Sequence, residues 1–187
     1  MTPADPAPTS FEIRRELASD VDEIASVVAA AFSLAEHSAP PTRPGGPPGE
    51  VDLLTWLRDD DGWLPGFSLV ATSGDQIVGH VVATRAHVDG APALGLGPLS
   101  VRPDHQRAGV GGMLVRDLLA RAEAAGDTLV ALLGDPAYYA RFGFVPARER
   151  GVTSPDPAWG DYFQVRALGV GEHPVGQFAY AEPFNRL

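Results

Sequence analysis

The sequence predicts an α/β domain built on a mixed sheet, and three observations lead there. Short apolar runs and helix-length patterns follow one another as strand, two helices, three strands, helix, strand, helix, two strands. That order is neither a regular βαβ alternation nor an all-β series. GFSLVAT and QIVGHVVATRAHV flank Ser73-Gly74-Asp75, a hairpin signature. A chain of 187 residues that is 44% hydrophobic is long enough to bury one proper core.

The elements follow in order. Residues 1–10, rich in proline and alanine, read as a disordered tail, and residues 11–187 as one domain. FEIRREL (11–17) alternates as a first strand, with Phe11, Ile13 and Arg15 on one face. Ser19 and Asp22 have capping-box spacing, so a helix is expected from about Asp20 to Phe32. The Pro/Gly-rich stretch 37–50 reads as a loop that is neither helix nor strand, and VDLLTWLRDD (51–60) as a short amphipathic helix. APALGLGPLSV (91–101) continues the strands, interrupted by Pro98, which has no N–H for a ladder. A helix from about Gly109 to Ala125 places Val110, Leu114, Leu118 and Ala122 on one face and ends at Gly126. TLVALLG (128–134) is a buried strand, PAYYARFG a short helix, and GDYFQVRAL and GQFAYAEPF two late strands.

Composition removes several kinds of chemistry. There is no cysteine, so disulfides, cysteine-bound zinc and a cysteine nucleophile are excluded. All 14 basic residues are arginine, which excludes a Walker phosphate loop and a lysine Schiff base. A formal charge of −10 argues against non-specific nucleic-acid binding. It mildly favours cationic partners, although aiding solubility is the plainer account of it. No apolar run is long enough to span a membrane, and MTPADPAPTS has no secretory pattern; a soluble, cytoplasmic protein is expected.

The densest chemistry lies in VRPDHQRAGVGGMLVRDLL (101–119). A turn after Pro103 leads straight into a helix N-terminus, where the first backbone N–H groups lack internal partners and the dipole adds positive charge. Gly109, Gly111 and Gly112 leave that backbone uncovered, and Arg102, Arg107 and Arg116 outnumber Asp104 and Asp117. Together they make a phosphate cradle. The Rossmann fingerprint fails because leucine stands at its last glycine, Leu114, and no regular parallel unit or acidic ribose partner appears. A coenzyme A diphosphate site and a turn that merely allows tight packing both remain open.

Gln106-Arg107-Ala108-Gly109-Val110-Gly111 resembles the Q/R-x-x-G-x-G/A motif of the GNAT superfamily of acetyl-CoA-dependent N-acetyltransferases. Leu99-Ser100-Val101-Arg102-Pro103 is similar to that family's fourth strand, and Tyr138 to Phe144 to its Y-x-x-x-G-F element. Gly134-Asp135-Pro136 and the GPLSV strand look most like the YhbS-like branch. The resemblance is strongest over 99–145 and extends from 11 to 182. It implies a mostly antiparallel mixed sheet of about six to seven strands, about four helices, and splayed fourth and fifth strands. It implies acetyl-CoA as co-substrate, no metal, and direct attack by a primary amine in a ternary complex. By the same resemblance, Leu99, Ser100 and Val101 would hold the pantetheine arm. Gln106, Arg107, Ala108, Gly109, Val110, Gly111 and Gly112 would hold the diphosphate. Tyr139, four residues before Gly143, would contact the cofactor and act as the acid, with Tyr138 as packing.

An alkyl amine of pKa ~10.4 is neutral only about once in 2,500 molecules at pH 7, equivalent to roughly 4.6 kcal/mol. A base is therefore needed, or the amine must bind neutral. His80, His87 and Asp135 are candidates, each with a plainer reading: surface or packed histidine, and helix cap. Glu36, Asp59, Asp60 and Asp61 are expected either to meet a cationic substrate or to be solvated turn residues. The loop 37–50 is expected over the acceptor side. A non-catalytic coenzyme A-binding module, and a transferase using a longer acyl chain or a hydroxyl acceptor, stay open; Gly95 and Gly97 would widen the acyl pocket or mark a bulge. Acceptor identity and pairing into a homodimer are not legible.

Overall fold

In the computed structural model, residues 10–33, 35 and 38–187 are described; residues 1–9 of the expected tail (1–10) and Glu36 lie outside them. Among the described residues, nine strands form one sheet in the order β1-β2-β3-β4-β5-β8-β6, with β9 on β3 and β7 on β9. They are β1 (Glu12–Arg15), β2 (Ser68–Ser73), β3 (Gln76–Val88), β4 (Ala91–Val101), β5 (Leu129–Leu133), β6 (Val145–Pro146), β7 (Val152–Thr153), β8 (Phe163–Ala167) and β9 (Gly176–Ala179). The pairs β4–β5 and β7–β9 are parallel and every other pair is antiparallel. The helices are α1 (Val21–Phe32), α2 (Gly49–Arg58), α3 (Val110–Ala124) and α4 (Pro136–Tyr139). The mixed sheet and four α-helices of the sequence reading are therefore present, with two two-residue strands, β6 and β7, too short to leave a pattern.

The sheet separates two cores because its strands alternate apolar residues between faces. On one face, Val110, Leu114, Val115, Leu118 and Ala122 of α3 pack on Leu69, Ala71, Val78 and Val81. A Cβ at Gly79 would come within 2.9 Å of Val110 and 3.0 Å of Leu114. That missing methyl group lets the first turn of α3 lie directly on β3. On the other face, Ile24, Val27 and Val28 of α1 and Leu53, Leu54 and Leu57 of α2 cover Val70, Ile77 and Val82. A third, aromatic cluster holds Phe163, Phe178, Trp159 and Tyr180 where β9 replaces β2 beside β3.

Three local expectations are corrected. The first helix is anchored by Asp20 and not by a Ser19–Asp22 box: its carboxylate accepts from Leu17 N–H (2.8 Å) and pairs with Arg14 (2.5 Å). The proline-rich loop ends two residues early, because Pro48 precedes a helix that starts at Gly49. Glu50 then reaches back to Ala39 N–H (2.7 Å) and Ser38 Oγ (2.9 Å), tying the loop to α2. The last strand stops at Ala179, and residues 182–186 turn into a 3₁₀ helix started by Pro183.

Candidate active site

Strand β4 shapes the site by leaving its neighbour. It pairs with β5 only at Leu94–Val130 and Gly95–Ala131. Its register on β3 then jumps from Ala83–Leu96 to Val81–Leu99, so one extra residue is accommodated around Gly97-Pro98. This bulge is where a proline without an N–H is tolerated. Beyond it, Arg102 N–H donates to Val78 C=O (2.9 Å), which makes Ser100 and Arg102 the residues hydrogen-bonded to β3. Alternation turns the N–H and C=O groups of Leu99 and Val101 the other way, into the gap vacated by β5. Gln106 Nε2 reaches Val101 C=O from that side (3.2 Å).

Two clefts open along this gap. The first, about 620 Å³, is lined by Leu99, Ser100, Val101, Gln106, Arg107, Gly109, Val110, Gly111 and Gly112, with His105, Arg116, Tyr138, Arg141 and Phe142. Of the expected diphosphate loop, only Ala108 is not in its wall. Gly109 sits at φ +89°, a left-handed turn that feeds α3. The first helical bond is Met113 N–H to Gly109 C=O (3.0 Å), so the amides of Val110, Gly111 and Gly112 have no acceptor within the helix. Among the described residues, the lining carries Arg107, Arg116 and Arg141 and no carboxylate. Among the described residues none of these three arginines has an ion-pair partner, whereas Arg102 and His105 hold the Asp104 carboxyl down at about 2. Arg116 lies over Phe142 (5.2 Å) and Arg141 over Tyr138 (4.8 Å), stacked but free to face an anion.

The second cleft, about 760 Å³, shares Leu99 and Phe32 with the first. Leu96, Gly97, Pro98 and Tyr139 line it beside Glu50, Asp156, Trp159, Tyr180 and Phe184. The Tyr139 ring lies across Gly134, where a Cβ would sit 2.4 Å from it. Burial pushes the Tyr139 hydroxyl above the ordinary phenol range, so it is protonated at neutral pH. Tyr138 packs edge-on against Tyr139 (4.9 Å) and Phe142 (5.6 Å), as expected, yet it also reaches the first cleft. Adjacent tyrosines thus serve adjacent clefts.

Residues 12–147 match the Acetyltransferase (GNAT) domain family. The chain belongs to the GNAT acetyltransferases. This GNAT chain is 38% identical over 121 residues to the uncharacterized N-acetyltransferase YjhQ of Escherichia coli, covering 62% of the chain and 67% of YjhQ. It is 34% identical over 143 residues to the uncharacterized N-acetyltransferase YhbS of the same organism, 74% of the chain and 84% of YhbS. The crystal structure of YhbS in complex with CoA superposes with a TM-score of 0.80 at 29% identity, over 98% of this chain and 96% of that one. A Brucella melitensis GNAT acetyltransferase in complex with acetyl-CoA gives 0.75 at 34% identity, over 94% and 99%.

None of the candidate bases of this GNAT chain reaches either cleft. His80 is buried in the sheet with Ser68 on its Nε2 (2.9 Å), and His87 is exposed at the far end of β3. Asp135 caps α4 by accepting from Ala137 N–H (2.9 Å). Asp59, Asp60 and Asp61 line neither cleft, and Asp60 instead accepts from Gly62 N–H (2.7 Å). Gly95 does not widen an acyl pocket, because the Tyr180 ring occupies the space where its side chain would stand (2.6 Å). From the described part of loop 37–50 only Glu50 reaches the second cleft. The residues missed in the sequence, Arg141 and the α1 end at Ala31 and Phe32, reach the clefts through packing that no local spacing encodes.

Proposed function

We propose that this chain is an acetyl-CoA-dependent N-acetyltransferase that acetylates a primary amine by direct attack in a ternary complex. The observation that carries it is the meeting of the two clefts at Leu99, where β4 turns backbone groups without a β5 partner into the gap. The arginine-lined cleft with bare helix amides suits the diphosphate. The gap-facing Leu99 and Val101 backbone suits an amide-bearing arm, with Ser100 beside it. The thioester then lies next to Tyr139, and the amine enters from the second cleft. That acetyl-CoA and CoA occupy the relatives from B. melitensis and E. coli supports this assignment.

The chemistry balances without a metal. The ammonium first gives one proton to solvent, and the amine lone pair forms the N–C bond to the thioester carbon. Collapse breaks the C–S bond, the second amine proton passes to solvent, and the departing thiolate takes one proton from solvent to become the free thiol. A phenol raised by burial is a weaker acid than the thiol, so complete proton transfer from Tyr139 runs uphill. Hydrogen-bond donation to the departing sulfur is what Tyr139 supplies. A hydrogen bond to a developing charge contributes about 1.5–3 kcal/mol. Tyr139→Phe should therefore lower kcat roughly 10- to 150-fold with little change in CoA affinity. Thiol release from acetyl-CoA across an amine panel tests the whole proposal. Absence of amine-dependent release would support a binding module, and full turnover by Tyr139→Phe would remove that hydroxyl from the mechanism.

A further inference from the structure

The second cleft differs chemically from the first in a way that defines its occupant. Among the described residues, its lining contains neither arginine nor histidine, and its charged side chains are Glu50 and Asp156. Both carboxylates already have structural duties: Glu50 uses both oxygens on Ser38 and Ala39, and Asp156 caps Ala158 N–H (2.8 Å). The cleft therefore offers negative potential for a cation and, among the described residues, no positive charge to pair a carboxylate or phosphate on the ligand. It has little left for a second or third ammonium.

The rest of the wall is aromatic. Tyr180 packs on Phe184 (4.7 Å) and Phe178 (4.8 Å), with Trp159 at 6.3 Å. Phe32, Trp159 and Phe184 are only half-buried while lining the cleft, which leaves apolar aromatic surface for a ligand to cover. This wall starts where Tyr180 crosses Gly95, four residues along β4 from Leu99. At about 3.3 Å per residue that is roughly 13 Å from the junction of the clefts, an upper limit because of the bulge. Such a span accommodates the reacting centre, a tether of two or three carbons and one aromatic ring.

We infer that the acceptor is an arylalkylamine: one primary amine on a short tether to a flat aromatic body, carrying no anionic group. The inference rests on the second cleft being the acceptor side. Trp159 and Phe184 hold the ring, and the carboxylates of Glu50 and Asp156 favour the amine's approach as a cation.

Calorimetry on the full chain saturated with CoA tests this with 2-phenylethylamine, phenylalanine, spermidine and Nα-acetyl-lysine amide as probes. Expected is 2-phenylethylamine binding at least tenfold more tightly than each of the others. Trp159→Ala should weaken it about tenfold and Trp159→Phe much less, with the CoA Kd of both variants unchanged as the check on folding. No binding of 2-phenylethylamine, equal or tighter binding of any other probe, or indifference to Trp159→Ala together with Phe184→Ala would overturn the inference. Thiol release with acetyl-CoA is read on the same probes. Release with another amine alone overturns the acceptor class and leaves the acetyltransferase proposal standing. Preferred binding of 2-phenylethylamine without release from any amine does the reverse.

Discussion

At the scale of single residues, the glycines of the 109–112 turn have separable duties. Gly109 supplies a left-handed φ, whereas a Cβ at Gly111 would stand 2.8 Å from the Tyr138 hydroxyl. Gly111→Ala should therefore displace Tyr138 and weaken CoA binding about tenfold, read by calorimetry. Gly109→Ala should mainly cost stability, about 1–2 kcal/mol, read as a shift in the urea midpoint. Equal effects of the two variants on both readouts would show that the turn acts only as a unit. Both glycines were visible in the sequence as a turn opening a helix. That Gly111 also makes room for a tyrosine 27 positions later was not, since the contact exists only once α4 folds over α3.

At the scale of elements, helix α3 is held by the face that its sequence period displayed. Val110, Leu114, Leu118 and Ala122 are all buried against the sheet. Leu118 is fully buried, and Leu118→Ala should cost about 2–5 kcal/mol, measured by chemical unfolding. Under the proposed diphosphate site at the start of this helix, the same variant should lose CoA affinity on warming before the bulk of the protein unfolds. The long strand β4 was legible as one run, and Pro98 as an interruption. Its separation from β5 was only an implication of family resemblance, because a strand's own residues do not state where a parallel neighbour stops pairing.

At the scale of the molecule, a charged knot outside both clefts ties the residue that follows β1 to α2, β2 and β3. The Glu16 carboxylate pairs with Arg58 (2.7 Å), accepts from Ser68 and lies 3.4 Å from His80. Burial alone would raise its pKa, yet the hydrogen bonds from His80, Arg58 and Ser68 prevail and bring it down to about 2. A carboxylate so lowered stabilises the fold fully above its ordinary 4.5, on the order of 3 kcal/mol, and the contribution fades as pH falls from there towards 2. His80, held below 6.5 chiefly by its burial, adds a loss in the same direction below pH 6.5. Urea unfolding at pH 7, 5, 4 and 3 should show stability falling steadily. Glu16→Gln should be less stable at pH 7 and markedly flatter with pH; an unchanged slope would remove Glu16 from the acid response. Nothing in the sequence marked this knot, because its four residues come from positions 16 to 80 and meet only across three strands.

What the sequence determined by itself is whatever lies within a few residues along the chain: the period of α3, the hairpin at Ser73-Gly74-Asp75, the glycine turn, and the tyrosine pair before Gly143. Local backbone preference and side-chain spacing are properties of a segment. The tertiary structure alone decided which side chains face a common cavity. It sent Asp135 and Asp60 to caps, sealed His80 inside the sheet, and filled the space at Gly95 with Tyr180. It also set arginines around one cleft and aromatic rings with two carboxylates around the other. Those outcomes depend on contacts between distant segments, and only the closed packing of both sheet faces fixes them.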